Sequence, residues 1–130
     1  ITLAGDVTTN AAATAATISA NINLGGSRRT FNVDDTAAIP DLNVSGIISG
    51  TGGIIKEGIG SMNLSNAANG YSGSTTANTG ILRIGAGGGA IPNASALVVN
   101  STLDLNGTNE IVGSLAGSGT VTSNAAGTLT

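Results

Sequence analysis

The chain contains no Cys, His, Trp or Gln, only two aromatic residues (Phe31 and Tyr71) and only two prolines in its 130 residues. Lack of Cys excludes disulfides and thiol nucleophiles. Lack of both Cys and His excludes zinc or copper sites of the usual kind and a Ser-His-Asp triad. Charge is scarce as well: seven Asp/Glu and four Lys/Arg make 8% of the chain and a net −3, against roughly 25% charged residues in an ordinary domain. Four scattered cations are not the clustered basic surface that nucleic acid requires. No apolar run approaches the roughly 18 residues of a membrane span.

Half of the chain is Gly, Thr, Ser and Asn, which together make 65 residues. Such sequence is often disordered, but disorder goes with low hydrophobicity and high net charge. Here 13 Ile, 10 Leu and 7 Val supply a thin aliphatic core. Thr, Ser, Asn and Gly are poor helix interiors. The apolar positions fall instead in apolar–polar–apolar triplets, the period of a strand with one buried face.

The triplets are Ile1-Thr2-Leu3, Ile22-Asn23-Leu24, Leu42-Asn43-Val44, Met62-Asn63-Leu64, Leu82-Arg83-Ile84 and Leu103-Asp104-Leu105, with centres 20 or 21 residues apart. Shorter apolar pieces lie between them at Phe31–Val33, Ile54-Ile55, Leu97–Val99 and Ile111-Val112. A fixed period of this size marks a repeat architecture. An antiparallel sandwich usually repeats every 8–12 residues or so. The spacing therefore predicts an all-β fold, a single-stranded parallel β-helix with about 20 residues per coil and roughly six coils, stacked about 4.8 Å apart. In that register Ile1, Ile22, Leu42, Met62, Leu82 and Leu103 form one inward column, and Leu3, Leu24, Val44, Leu64, Ile84 and Leu105 form its partner. The outward column is Thr2, Asn23, Asn43, Asn63, Arg83 and Asp104, which sets Arg83 beside Asp104.

Residues 48–63 echo residues 115–130 at an offset of 67, with Gly50/Gly117, Gly52/Gly119 and Gly60/Gly127 identical. Thr128-Leu129-Thr130 followed by Ile1-Thr2-Leu3 would continue the alternation. The expectation is one continuous solenoid over residues 1–130, a fragment or one unit of a longer array. Its open ends would meet adjacent repeats or copies of the same chain.

Residues 52–85 resemble the autotransporter-associated β-strand repeat of bacterial surface proteins. The carrying motifs are Lys56-Glu57-Gly58-Ile59-Gly60, Ser61-Met62-Asn63-Leu64, Asn69-Gly70-Tyr71-Ser72-Gly73, and Thr75-Thr76 through Gly80-Ile81-Leu82-Arg83-Ile84-Gly85. Met62 stands where the pattern has Leu, and Gly70 lengthens its turn. The resemblance implies a secreted, right-handed β-helix displayed at the bacterial cell surface.

Candidate chemistry is thin. Gly85–Ala90 has the letters of a dinucleotide loop, but Ile91-Pro92-Asn93 follows as a turn where a helix is needed, so a plain loop and no cofactor are expected. Asp34, Asp35 and Asp41 could meet in one loop, the arrangement a polysaccharide-cleaving β-helix would need. The cations nearest in sequence are Arg28 and Arg29. Asp104–Glu110 only loosely resembles a calcium loop. Five Asn-x-Ser/Thr sequons follow from composition. Thr8-Thr9 and Thr75-Thr76 do not form the ranks of an ice-binding face. Tyr71 at a Gly-rich turn could stack on a sugar or pack internally.

The expected function is structural and non-catalytic: an extracellular stalk or filament subunit stacking end to end. The alternative is an adhesin passenger that engages a glycan or host surface through side loops, with Tyr71, Arg28, Arg29, Asp34 and Asp35 as contact residues. A polysaccharide-active β-helix enzyme is a remote third.

Overall fold

The computed structural model describes all 130 residues and contains sixteen short β-strands and no helix. Each coil of the chain crosses three faces. Sheet 1 stacks β1 (Val7–Thr9), β4 (Arg29–Val33), β7 (Ile54–Glu57), β9 (Thr75–Ala77), β11 (Ala96–Val99) and β14 (Ser114–Ala116) in that order. Sheet 2 stacks β2 (Ala16–Ile18), β5 (Leu42–Val44), β8 (Ser61–Leu64), β10 (Ile81–Ile84), β12 (Thr102–Asp104) and β15 (Thr120–Thr122). The third face holds only two short ladders, β3 (Ile22–Asn23) with β6 (Ile48–Ser49) and β13 (Asn109–Glu110) with β16 (Thr128–Leu129), and a bridge between Thr2 and Asn23. Every pairing is parallel, and six strands per sheet make six coils of a β-solenoid. Of 63 backbone hydrogen bonds, 33 lie outside the strands. Pairing therefore continues around the corners, and coil stacks on coil along nearly the whole path.

Sheet 2 carries most of the expected columns. Leu42, Met62, Leu82 and Leu103 lie in register and are buried, as are Val44, Leu64 and Ile84. Outside, the column reads Thr17, Asn43, Asn63, Arg83, Asp104 and Thr122. The first two triplets do not belong to it. Thr2 pairs with Asn23, and Ile22 with Ile48, so Ile1–Leu3 and Ile22–Leu24 lie on the third face.

The cause is unequal coil length. Asn43 lies 26 residues beyond its partner Thr17, whereas Arg83 lies 20 beyond Asn63. A loop at 34–41 lengthens the second coil. The 20-residue step from Asn23 to Asn43 thus runs from one face to another and matches the true coil period only by coincidence.

Residues 48–63 run from the third face through sheets 1 and 2, whereas 115–130 start on sheet 1 and end on the third face. The echo joins corners of the same chemistry, one side apart. Gly50 and Gly117 both adopt left-handed backbone (φ 103° and 110°). A side chain at either would strike the coil beneath, 2.5 Å from Asn23 Oδ1 or 2.1 Å from the Val99 carbonyl oxygen.

The core is one cluster of 20 buried apolar residues between Ile22 and Leu105, to which the sixth coil contributes none. On sheet 1 the inward column is Val7, Phe31, Lys56, Ala77 and Val99. A lysine thus occupies a core position between an aromatic ring and an alanine.

Candidate functional site

Three side chains of the Asp, Glu and Lys class are buried, and each is committed to polar groups of its own or an adjacent coil. Lys56 Nζ donates to the carbonyl oxygens of Glu57 (2.7 Å), Gly58 (2.8 Å) and Thr79 (3.2 Å). These lie where the chain turns from sheet 1 to sheet 2, so the ammonium gathers carbonyls that the turn takes out of the ladder. Burial depresses the Lys56 pKa to about 8, while the nearby carboxylates of Glu57 and Asp41 pull it upward.

Asp41, at the end of the 34–41 loop, accepts from Thr36 N (2.6 Å), Thr36 Oγ1 (2.6 Å), Ser61 N (2.6 Å) and Ser61 Oγ (2.8 Å). Burial alone would raise its pKa, but these hydrogen bonds from Ser61 and Thr36 outweigh it and hold the carboxyl below its usual range. The carboxylate clasps the loop to the third coil.

Glu110 accepts from the backbone N–H groups of Gly88 (3.0 Å), Gly89 (3.3 Å) and Ile91 (2.7 Å). The loop at 85–90 is therefore a loop, as its sequence indicates, and its amides are occupied by an internal carboxylate. Burial pushes the Glu110 pKa up, against the lowering effect of these amides.

The expected contact residues do not converge. Arg28 is exposed and donates to Thr76 Oγ1 (2.8 Å), two coils on. Arg29 donates to the carbonyls of Leu24 (3.0 Å) and Ala4 (3.2 Å), tying the first coil to the second. Asp34 and Asp35 are exposed beyond the opposite end of β4, roughly 17 Å of extended chain from Arg29. Arginines and carboxylates therefore stand at different corners, and the acid–base grouping needed for sugar cleavage is not assembled.

Tyr71 packs internally, one of the two roles its turn allowed, and is not the surface contact that the adhesin alternative would need. It is 1% exposed and its hydroxyl bonds to Thr75 Oγ1 at 2.6 Å. Burial raises its pKa, and the Glu110 charge adds to the rise. The tyrosine is a core residue, because the third face folds this turn inward.

Arg83 and Asp104 do meet, at 3.4 Å. Arg83 also bonds to Asn106 Oδ1, and Asp104 accepts from Asn106 N (2.8 Å). Asn43 and Asn63 stack with an amide hydrogen bond of 2.9 Å, as do Asn78 and Asn100.

Sequence reasoning missed the burial of Lys56, Asn69 and Glu110. Asn69 bridges coils by accepting from Ile48 N and donating to the Ala90 carbonyl, both at 2.8 Å. The one available signal was Lys56, two positions after Ile54 in a strand where alternation points both inward.

The chain is similar to the adhesin BmaC autotransporter of Brucella suis biovar 1 (strain 1330), at 39% identity over 101 residues. The match takes in 75% of this chain but 3% of that protein, so the chain spans a small fraction of its relative's length. No protein-family model matches the chain, and residues 52–85 resemble the repeat without a match to its model. No solved structure matches it either.

Proposed function

We propose that the chain is a length of extracellular rod at a bacterial surface: a non-catalytic β-solenoid of the passenger type, with further coils or copies of itself stacked on its ends. The observation that supports this most is the commitment of Asp41, Lys56 and Glu110. Each buried charge holds turns or loops of the rod in place. At one end Leu115 and Val121, in register with the buried Leu97 and Leu103, are 54% and 39% exposed. A further coil would cover both, as neighbours do within any solenoid.

Electron imaging of the chain at high concentration, and of native surface material, tests the reading. Rods with a layer spacing near 4.8 Å are expected, with an axial repeat of roughly 29 Å if copies stack directly. Compact particles without that spacing would sink it.

A second reading, an adhesin passenger, draws support from the printed name of the relative and from the side loop at 34–41. It predicts saturable binding to a host glycan or protein. Flat binding across a glycan array and a panel of host surface proteins would count against it.

A further inference from the structure

An asparagine followed by glycine can close a ring on the backbone, because glycine has no Cβ to shield the amide nitrogen that attacks. The chain has two such pairs, Asn69-Gly70 and Asn106-Gly107. The fold treats them differently.

Asn69 is locked. It is buried, and both ends of its amide are used between coils, by Ile48 N and the Ala90 carbonyl. Gly70 N donates to the Ile48 carbonyl at 2.8 Å, an ordinary rung of the stack. The nitrogen that would leave and the nitrogen that would attack are both held.

Asn106 and Gly107 turn the chain after β12 in left-handed backbone (φ 51° and 76°), and both are only partly buried. Three coils converge on this turn. The Arg83 guanidinium, from the fourth coil, donates to Asn106 Oδ1, and Asn124 Nδ2, from the sixth, approaches the same oxygen at 3.5 Å. Asp104 fixes the arrangement from the fifth coil: it meets Arg83 Nε at 3.4 Å and accepts from Asn106 N at 2.8 Å. A guanidinium can only donate, so the amide oxygen faces it and the NH2 group is turned away. On the other side of the new bond, Gly107 N donates to the exposed Ser123 Oγ at 2.9 Å. The carbonyl to be attacked is thus polarised by a cation, and the attacking nitrogen has an acceptor for its proton.

We propose that Asn106 is a self-modification site, which cyclises on Gly107 N in the folded rod to a succinimide that water opens to aspartate or isoaspartate. Gly107 N attacks Asn106 Cγ, and the negative charge that develops on Oδ1 is stabilised by Arg83 and Asn124. The Gly107 proton leaves through Ser123 Oγ to water. The Cγ–Nδ2 bond then breaks, and the nitrogen takes up a proton and departs as ammonia. One water molecule opens the ring, at one carbonyl to aspartate and at the other to isoaspartate. Either product brings Arg83 a second carboxylate. Isoaspartate also adds a methylene to the backbone between two rungs that hold the sixth coil, Leu105 N to the Thr122 carbonyl and Thr130 N to that of Glu110. The inference goes beyond the rod reading and holds for a stalk or an adhesin passenger alike.

The test incubates the full folded chain at neutral pH in ordinary and heavy-oxygen water and follows its fragments by mass spectrometry, beside a synthetic peptide of residues 102–111. Expected at Asn106 is loss of ammonia followed by uptake of one heavy oxygen, faster than in the peptide, with Asn69 unchanged over the same period. Arg83→Met should slow the reaction about tenfold, the share of one charge-assisted hydrogen bond, and Ser123→Ala severalfold. Both differences should vanish in denaturant. Because Ser123 is exposed, Ser123→Ala keeps the test open should Arg83→Met unfold. A rate at Asn106 no faster in the fold than in the peptide would overturn the proposal, as would folded variants that react at the original rate or equal conversion of Asn69 and Asn106.

Discussion

Sheet 2 and the third face carry the same coils by different means. On sheet 2 the backbone ladders run unbroken through six strands, with aliphatic residues inside and Asn, Arg and Asp outside. On the third face the strands shrink to two residues, and buried polar side chains stand in for missing rungs. Asn69 offers a carbonyl and an amide to the coils on either side of it, and Glu110 takes three amides at once. At the surface of the same face, Asn21 Oδ1 and Asn109 Oδ1 likewise accept from Ile47 N and Thr128 N. Buried backbone groups must be paired, and where loops of unequal length spoil the register a side-chain carbonyl is the nearest substitute. One face is held by hydrophobic stacking over regular pairing, the other by polar fasteners.

Four substitutions would break or sharpen that contrast. Glu110→Ala should be the most damaging, about 4 kcal/mol in chemical denaturation, because three N–H groups lose a charged acceptor. Leu82→Ala should cost about 3 kcal/mol through the cavity it leaves in sheet 2. A cost for Glu110→Ala well below that of Leu82→Ala would mean that water satisfies the third face.

Lys56 offers a pH signature. Its pKa is about 8 in the fold against 10.5 for a free lysine, so the unfolded chain binds the extra proton between those values. Stability should therefore rise by roughly 2–3 kcal/mol as pH climbs from about 8 to 10.5, and Lys56→Met should flatten that rise in pH-dependent melts. Smallest should be Asp104→Asn. The partly exposed pair with Arg83 is worth about 0.5 kcal/mol, and any loss should shrink as salt is added.

How much of this could be read from the residues depends on the face. Sheet 2 was legible because Leu42-Asn43-Val44, Met62-Asn63-Leu64 and Leu82-Arg83-Ile84 write burial directly as hydrophobicity, and the Arg83–Asp104 pair followed from the same register. The third face was not, because its inward positions include Asn69, Ala90 and Glu110, which alternation reads as turn or surface. Ile22-Asn23-Leu24 looked like a sheet 2 triplet only because the loop at 34–41 restored a 20-residue step by accident. Tyr71 was legible only as two alternatives for a related reason: its flanking glycines fit a solvent-facing tip as well as a buried turn, and the buried Thr75 that meets its hydroxyl decides between them. Lys56 shows the general limit, since hydropathy records what a side chain costs to bury and not the three carbonyls waiting for it.

The direction of the pairing has a mechanical consequence. Because every strand is parallel to its neighbours and stacked along the rod, the bonds between coils point along the axis. A pull between the two ends loads them in tension, one layer at a time, instead of shearing a whole sheet at once. Each coil that peels away frees 20 residues on the Asn63-to-Arg83 spacing, or about 70 Å of extended chain from a layer about 4.8 Å thick. Under a steady tug such a tether lengthens in discrete steps, dissipating force while the remaining layers stay folded.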